Sequence, residues 1–130
     1  MKGILVEPGL PGIAVDVTEE KLRAELGFVS FGYPYDDPVC LAHDDNGIAN
    51  HRLPNRWIHG NIMPGPFYVL GVNDSGDLTD LTPDLLEKYL HHFEEPDTFP
   101  PGRWMVTTST ESSAFGTVFH IESRWVASDD

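Results

Sequence analysis

The segment Asn50-His51-Arg52-Leu53-Pro54-Asn55-Arg56-Trp57-Ile58-His59-Gly60-Asn61 brings guanidinium forks, imidazoles, amides and an indole into one short stretch of chain. Such side chains recognise anionic or planar ligands through bidentate hydrogen bonds and stacking. Its charge sets the segment apart. No carboxylate occurs between Asp45 and Asp74, so residues 51–73 carry a formal +2 within a chain of −13. The flanking segments carry −6 over 1–50, −7 over 74–99 and −2 over 100–130. Asn55, Arg56 and Trp57 are the first candidates for binding a protein partner or a small anionic ligand, with Arg52, His51 and His59 beside them. The plainer reading of the same residues is that both arginines pair with nearby acids and that Trp57 is core.

Other chemistries are less well supported. His43, His51 and His59 recur every eight residues and would share a sheet face if the strands there were regular, but Pro54 interrupts that regularity. Zinc needs three or four convergent ligands, and no standard spacing is met, so no metal site is expected. Asp44-Asp45-Asn46-Gly47 and Asn73-Asp74-Ser75-Gly76-Asp77 resemble calcium loops only superficially. Six residues after each glycine stand Leu53 and Thr82 rather than a glutamate. Cys40 lies in an apolar run, where burial raises a thiol pKa, and has no local base. Nothing resembles a nucleophile elbow, a phosphate-binding loop or a dinucleotide fingerprint. No catalytic residue and no cofactor is assigned.

The elements that must position these residues follow from pattern and punctuation. Ile4-Leu5-Val6 and Ile13 to Val17 read as two strands about a Pro8-Gly9 turn. Thr18 caps a short helix with Glu19 and Glu20 in its first turn and Gly27 as its stop. Phe28 to Tyr33 and Val39 to Ala42 are strands, and Asn46-Gly47 is expected to turn the chain into a return strand at Ile48. Phe67 to Val72 is the strongest central strand. Thr82-Pro83-Asp84 starts a second helix with a buried stripe of Leu86, Tyr89, Leu90 and Phe93, and His91 and His92 fall at its negative end. Trp104 to Thr108 and Thr117 to Val126 form a hairpin. The expected fold class is α+β, a mixed or mainly antiparallel sheet of about five to seven short strands with two helices and a C-terminal β-hairpin. One domain over 1–130 is expected, with Pro96 to Gly102 as a possible hinge.

Composition bounds the function. The hydrophobic fraction of 40% supports a folded core, and 21 acids against 8 Lys plus Arg oppose attraction to nucleic-acid phosphates or anionic lipid. Direct nucleic-acid binding is not expected, and no apolar run approaches the ~20 residues of a membrane span. The single cysteine, Cys40, excludes an internal disulfide and suits a reducing cytoplasm.

Met1-Lys2-Gly3-Ile4-Leu5-Val6-Glu7-Pro8-Gly9, Tyr33-Pro34-Tyr35-Asp36-Asp37-Pro38-Val39, Leu53-Pro54-Asn55-Arg56 and Gly65-Pro66-Phe67-Tyr68-Val69-Leu70-Gly71 follow one another in an order that resembles the domain of unknown function 3846 family. The likeness continues through Leu81-Thr82-Pro83-Asp84 and Lys88-Tyr89, so it covers residues 1–95, and it leaves uncovered a hairpin extension over 99–126. It implies an accessory protein of a phage or mobile element, and no catalytic residues. The leading expectation is a non-enzymatic interaction protein whose partner is a host or phage protein. A second is an inhibitor of host defence that imitates DNA through the carboxylates of Asp74 to Asp97. A third is a small enzyme acting on a phosphate-bearing or nucleotide ligand, which requires the central island to line one pocket. Phe115, Phe119 and Trp125 either build a homodimer interface or close the core.

Overall fold

Two threonines start the helices. The Thr18 hydroxyl accepts from the Lys21 amide at 3.1 Å and opens α1 (Glu19–Leu26), and Gly27 ends it with φ +73°. Thr82 accepts from the Leu85 amide at 3.3 Å and opens α2 (Pro83–His92), where Pro83 occupies a position with no amide bond to lose. Each cap contributes about 1 kcal/mol. The computed structural model describes residues 1–128, and the chain divides into two compact units, Met1–Thr98 and Phe99–Asp130.

In the first unit the strands are β1 (Lys2–Val6), β2 (Ile13–Asp16), β3 (Val29–Gly32), β4 (Val39–Asp44), β5 (Pro54–Ile58), β6 (Asn61–Pro64), β7 (Phe67–Val72) and β8 (Leu78–Thr79). The main sheet runs β2-β1-β7-β4-β3, with β8 also paired to β7, and every pairing is antiparallel. β7 takes the middle because its apolar residues run without alternation, as a strand covered on both faces requires. On one face Ile4, Val6, Val39, Leu41, Phe67 and Val69 pack with Tyr89 of α2, with Phe93 that caps its C-terminus, and with Ile58 of β5. On the other, Cys40, Ala42, Tyr68 and Leu70 pack with Leu22 and Leu26 of α1. Cys40 is wholly buried, and burial pushes its thiol up to about 11.

The expected return strand at Ile48 does not form. Residues 45–51 are a run of turns organised by the buried Asp44, whose carboxylate accepts from the Asn46 amide at 2.8 Å and from Asn50 Nδ2 at 2.9 Å. The tight hairpin turn falls instead at His59-Gly60, between β5 and β6, where φ is +46° and +82°. Both central residues thus sit in the left-handed region that a two-residue turn between twisted strands requires.

The second unit is one antiparallel ribbon of β9 (Gly102–Ser113) and β10 (Gly116–Ala127), longer than the sequence pattern indicates. Trp104 and Trp125 face each other across it at 5.4 Å between ring centroids, and Phe115 at its tip is fully exposed. Among the described residues no helix is long and apolar enough to cross a membrane.

Candidate functional site

The central island is pulled in three directions. Asn55 and Arg56, on β5, are 0% and 3% exposed, so they are part of the interior rather than a contact surface. The sequence pattern assigns no strand to β5, because polar side chains occupy its inward positions, and what holds them there is their partners. Asn55 Nδ2 donates to the carbonyls of Val6 and Gly65, both at 2.9 Å. Its Oδ1 accepts from Arg56 Nη1 at 2.9 Å. Arg56 Nη2 donates to the Leu10 carbonyl at 2.6 Å and to Phe93 O, at the end of α2, at 3.4 Å, while Nη1 also reaches Glu7 O at 3.4 Å. One guanidinium therefore ties the β1–β2 turn, the C-terminus of α2 and the β5–β6 hairpin together. Burial lowers its pKa, an effect that Asp97 partly offsets, and only Nε lacks a partner.

Arg52 follows the plainer reading. Its Nε pairs with Asp44 at 2.9 Å, and Nη2 donates to Glu25 O at 3.1 Å, one of the carbonyls that α1 leaves unsatisfied at its end. Burial raises the Asp44 pKa, but hydrogen bonds from Asn50, Arg52 and the Asn46 amide outweigh that effect and hold the carboxyl below its ordinary range. His51 and Arg52 line a shallow depression of 430 Å³ with Pro8, Asn50, Leu53, Gly65 and Pro66. Gly65 has φ +76°, and a Cβ there would come within 2.6 Å of the Arg52 side chain. Trp57 is 56% exposed, contrary to a core role, and its backbone amide donates to Asp97 Oδ2 at 2.8 Å. His59 lies in the hairpin turn. The six residues thus do not line one pocket, which the nucleotide-enzyme expectation required. His43, His51 and His59 do not share a sheet face either, since only His43 is on a strand. Among the described residues no group of three or more His, Cys, Asp or Glu side chains can hold a metal ion.

A second constellation was not anticipated. Tyr35 packs against His59, Tyr89 and His92 with ring centroids 5.5, 5.2 and 5.5 Å away, and its hydroxyl lies 3.3 Å from His92 Nε2. Beside it Asp37 accepts from Lys88 Nζ at 2.6 Å and from the Tyr89 hydroxyl at 2.7 Å. The Lys88 and Tyr89 hydrogen bonds hold the Asp37 carboxyl below its usual range, and burial raises the Tyr89 hydroxyl, so neither exchanges a proton near neutral pH. Burial, with Lys88 and His59 adding to it, lowers the His92 pKa. These contacts fasten the β3–β4 connection to α2 across 51 to 57 residues of sequence. No local pattern reports a pairing of that separation.

What this fastening positions is the edge of the sheet at β3. Strand β3 pairs with β4 on one side only, and a groove opens on each sheet face beside it. On the α1 face a groove of 530 Å³ is lined by Leu22, Arg23, Phe28, Val29, Phe31 and Tyr33 together with the Gly76-Asp77-Leu78 turn. On the α2 face a groove of 370 Å³ is lined by Gly32, Tyr33, Pro34, Leu41, Ile58, His59 and the first residues of β6. Phe28, Phe31 and Tyr33 are 76%, 41% and 62% exposed. A Cβ at Gly32 would meet nothing within 4 Å, so the missing side chain leaves the second groove open down to Leu41. The Asp45 amide bonds to Phe28 O, which fixes the alternation: Phe28, Ser30 and Gly32 turn their backbone groups toward β4, and Val29 and Phe31 turn theirs outward.

The family described as Domain of unknown function (DUF3846) matches residues 1–94, a stretch that holds the Asn55–Arg56 clamp, the β3 edge and all of α2 but not the ribbon. No curated protein and no solved structure matches the chain.

Proposed function

The chain belongs to the DUF3846 family, whose description names no activity, and we propose that it is a non-enzymatic binding protein that takes an extended segment of a partner protein along β3. The observation that carries this reading is the open β3 edge with a groove on each face, the one on the α2 side mainly apolar. A segment added as a further strand satisfies the outward N–H and C=O groups of Val29 and Phe31. Its alternate side chains then fall on opposite faces, one set against Phe31 and Leu22, the other over Gly32 toward Leu41 and Ile58. Main-chain hydrogen bonds supply affinity, and the two grooves supply selectivity. The opposite edge, β2, lines none of the three grooves described above.

The partner segment is apolar at alternate positions and basic at its flanks, because residues 1–98 carry a formal −11. An accessory protein of a phage or mobile element acting on a bacterial cytoplasmic protein fits this chemistry. The test is selection of displayed peptides of about eight residues, a length that covers one strand with flanks, followed by titration against variants. Phe31→Lys, which puts a charge on the edge, and Tyr33→Ala are expected to weaken a selected peptide at least tenfold, while Trp57→Ala leaves it unchanged. Binding indifferent to Phe31 and Tyr33, yet abolished by salt, would instead favour a DNA-like display of the carboxylates between Asp74 and Asp97.

A further inference from the structure

The geometry points to a second copy of this chain as the occupant of one face of the C-terminal ribbon. The register of β9 and β10 assigns every side chain to a face, because residues directly opposite one another in an antiparallel pair share one. Trp104↔Trp125, Val106↔Ser123, Thr108↔Ile121, Thr110↔Phe119 and Ser112↔Thr117 fall on the first face. Arg103↔Val126, Met105↔Arg124, Thr107↔Glu122, Ser109↔His120 and Glu111↔Val118 fall on the second. All four charged side chains of the two strands, Arg103, Glu111, Glu122 and Arg124, therefore lie on one face, where His120 also meets Glu111 at 3.3 Å. The other face carries no charge, and its Val106, Phe119 and Ile121 are 53%, 71% and 70% exposed.

Three features select a second copy over another partner. Residues 1–98 carry −11, whereas residues 99–130 carry only −2, so like-charge repulsion between two copies is weakest where ribbon meets ribbon. A basic partner, which the acidic unit attracts, finds no opposite charge on this face. An uncharged stripe of aromatic, β-branched and threonine side chains is complementary to itself about a two-fold axis, the commonest symmetry of homo-oligomers. With ~3.3 Å per residue and two strands, the face measures about 40 by 10 Å, or roughly 400 Å² per copy. Twice that area is below the roughly 1,200 Å² at which stable specific interfaces begin, so the dimer is weak and transient.

The test is sedimentation velocity of the full chain across concentration at low and high salt, together with cross-linking. Wild type is expected to shift from monomer to dimer with concentration, and more completely at high salt, where repulsion between the acidic units is screened. Phe119→Lys and Ile121→Lys are expected to remain monomeric. Cysteine pairing guards against variants that merely unfold the ribbon. Thr108→Cys, on the uncharged face, is expected to form an intermolecular disulfide under mild oxidation, and Thr107→Cys, one residue away on the charged face, is not. A monomer at every concentration and salt, or equal cross-linking of the two cysteine variants, would overturn the inference. So would a dimer that survives Phe119→Lys unchanged.

Discussion

The Asn55–Arg56 clamp and the β3 edge belong to one 98-residue unit and handle polar groups in opposite ways. At the clamp, side-chain donors are buried and aimed at backbone carbonyls from β1, the β1–β2 turn, α2 and the residue after β6. At the edge, backbone donors and acceptors of β3 are left outward beside exposed aromatic rings. Cationic and amide side chains, the usual signs of a binding site, here hold the fold together. The proposed binding edge lies where the sequence shows only a short aromatic strand. A guanidinium surrounded by carbonyls and one open to a ligand look identical in sequence.

This contrast predicts that clamp variants cost stability and edge variants cost binding. The largest expected effect is Arg56→Ala. It strips donors from Leu10, Glu7 and Phe93 carbonyls and from Asn55 Oδ1 at once, and should lower unfolding free energy by about 4 kcal/mol in urea titration. Asn55→Ala leaves the Val6 and Gly65 carbonyls without their donor and should cost about 2 kcal/mol. If either variant unfolds like wild type, the clamp is not what joins those segments.

Next in size is a pH effect. Asp44 has a depressed folded-state pKa, so its contribution to stability is complete above the unfolded carboxyl value of about 3.9 and is lost as pH falls through the lower folded value. Asp44→Asn should be less stable than wild type at pH 7, and the difference should shrink below about pH 4. A constant difference from pH 7 to pH 2 would contradict that assignment. Smallest is the stability effect at the edge. Phe31→Lys should stay within about 1 kcal/mol of wild type.

Features set by neighbours in sequence were legible before the fold. Thr18 and Thr82 cap the helices as read, the stripe of Leu86, Tyr89, Leu90 and Phe93 faces the core, and Phe67 to Val72 forms the central strand. What depended on distant partners was not. No strand is expected at Pro54-Asn55-Arg56 because its inward side chains are polar, and the carbonyls of Val6, Leu10 and Phe93 are what hold them there. Asn46-Gly47 carries a hairpin signal, yet the Asp44 carboxylate draws the amides of that segment into successive turns. Ser109 to Ser113 hides in sequence as a polar stretch because every side chain there is exposed. The break in acidity marks a segment whose Asn55 and Arg56 turn inward, a direction that spacing alone does not report. The fastening of Asp37 by Lys88 and Tyr89 spans 51 and 52 residues, beyond any periodicity.

The most direct test of the β3 assignment is backbone amide hydrogen exchange, resolved by residue, in the free protein and with a selected peptide bound. The account predicts that the outward amides of Val29 and Phe31 exchange readily when free and become protected on binding, while those of β2 are unchanged. Protection that appears at β2 or around His51 and Arg52, with Val29 and Phe31 unaltered, would contradict it.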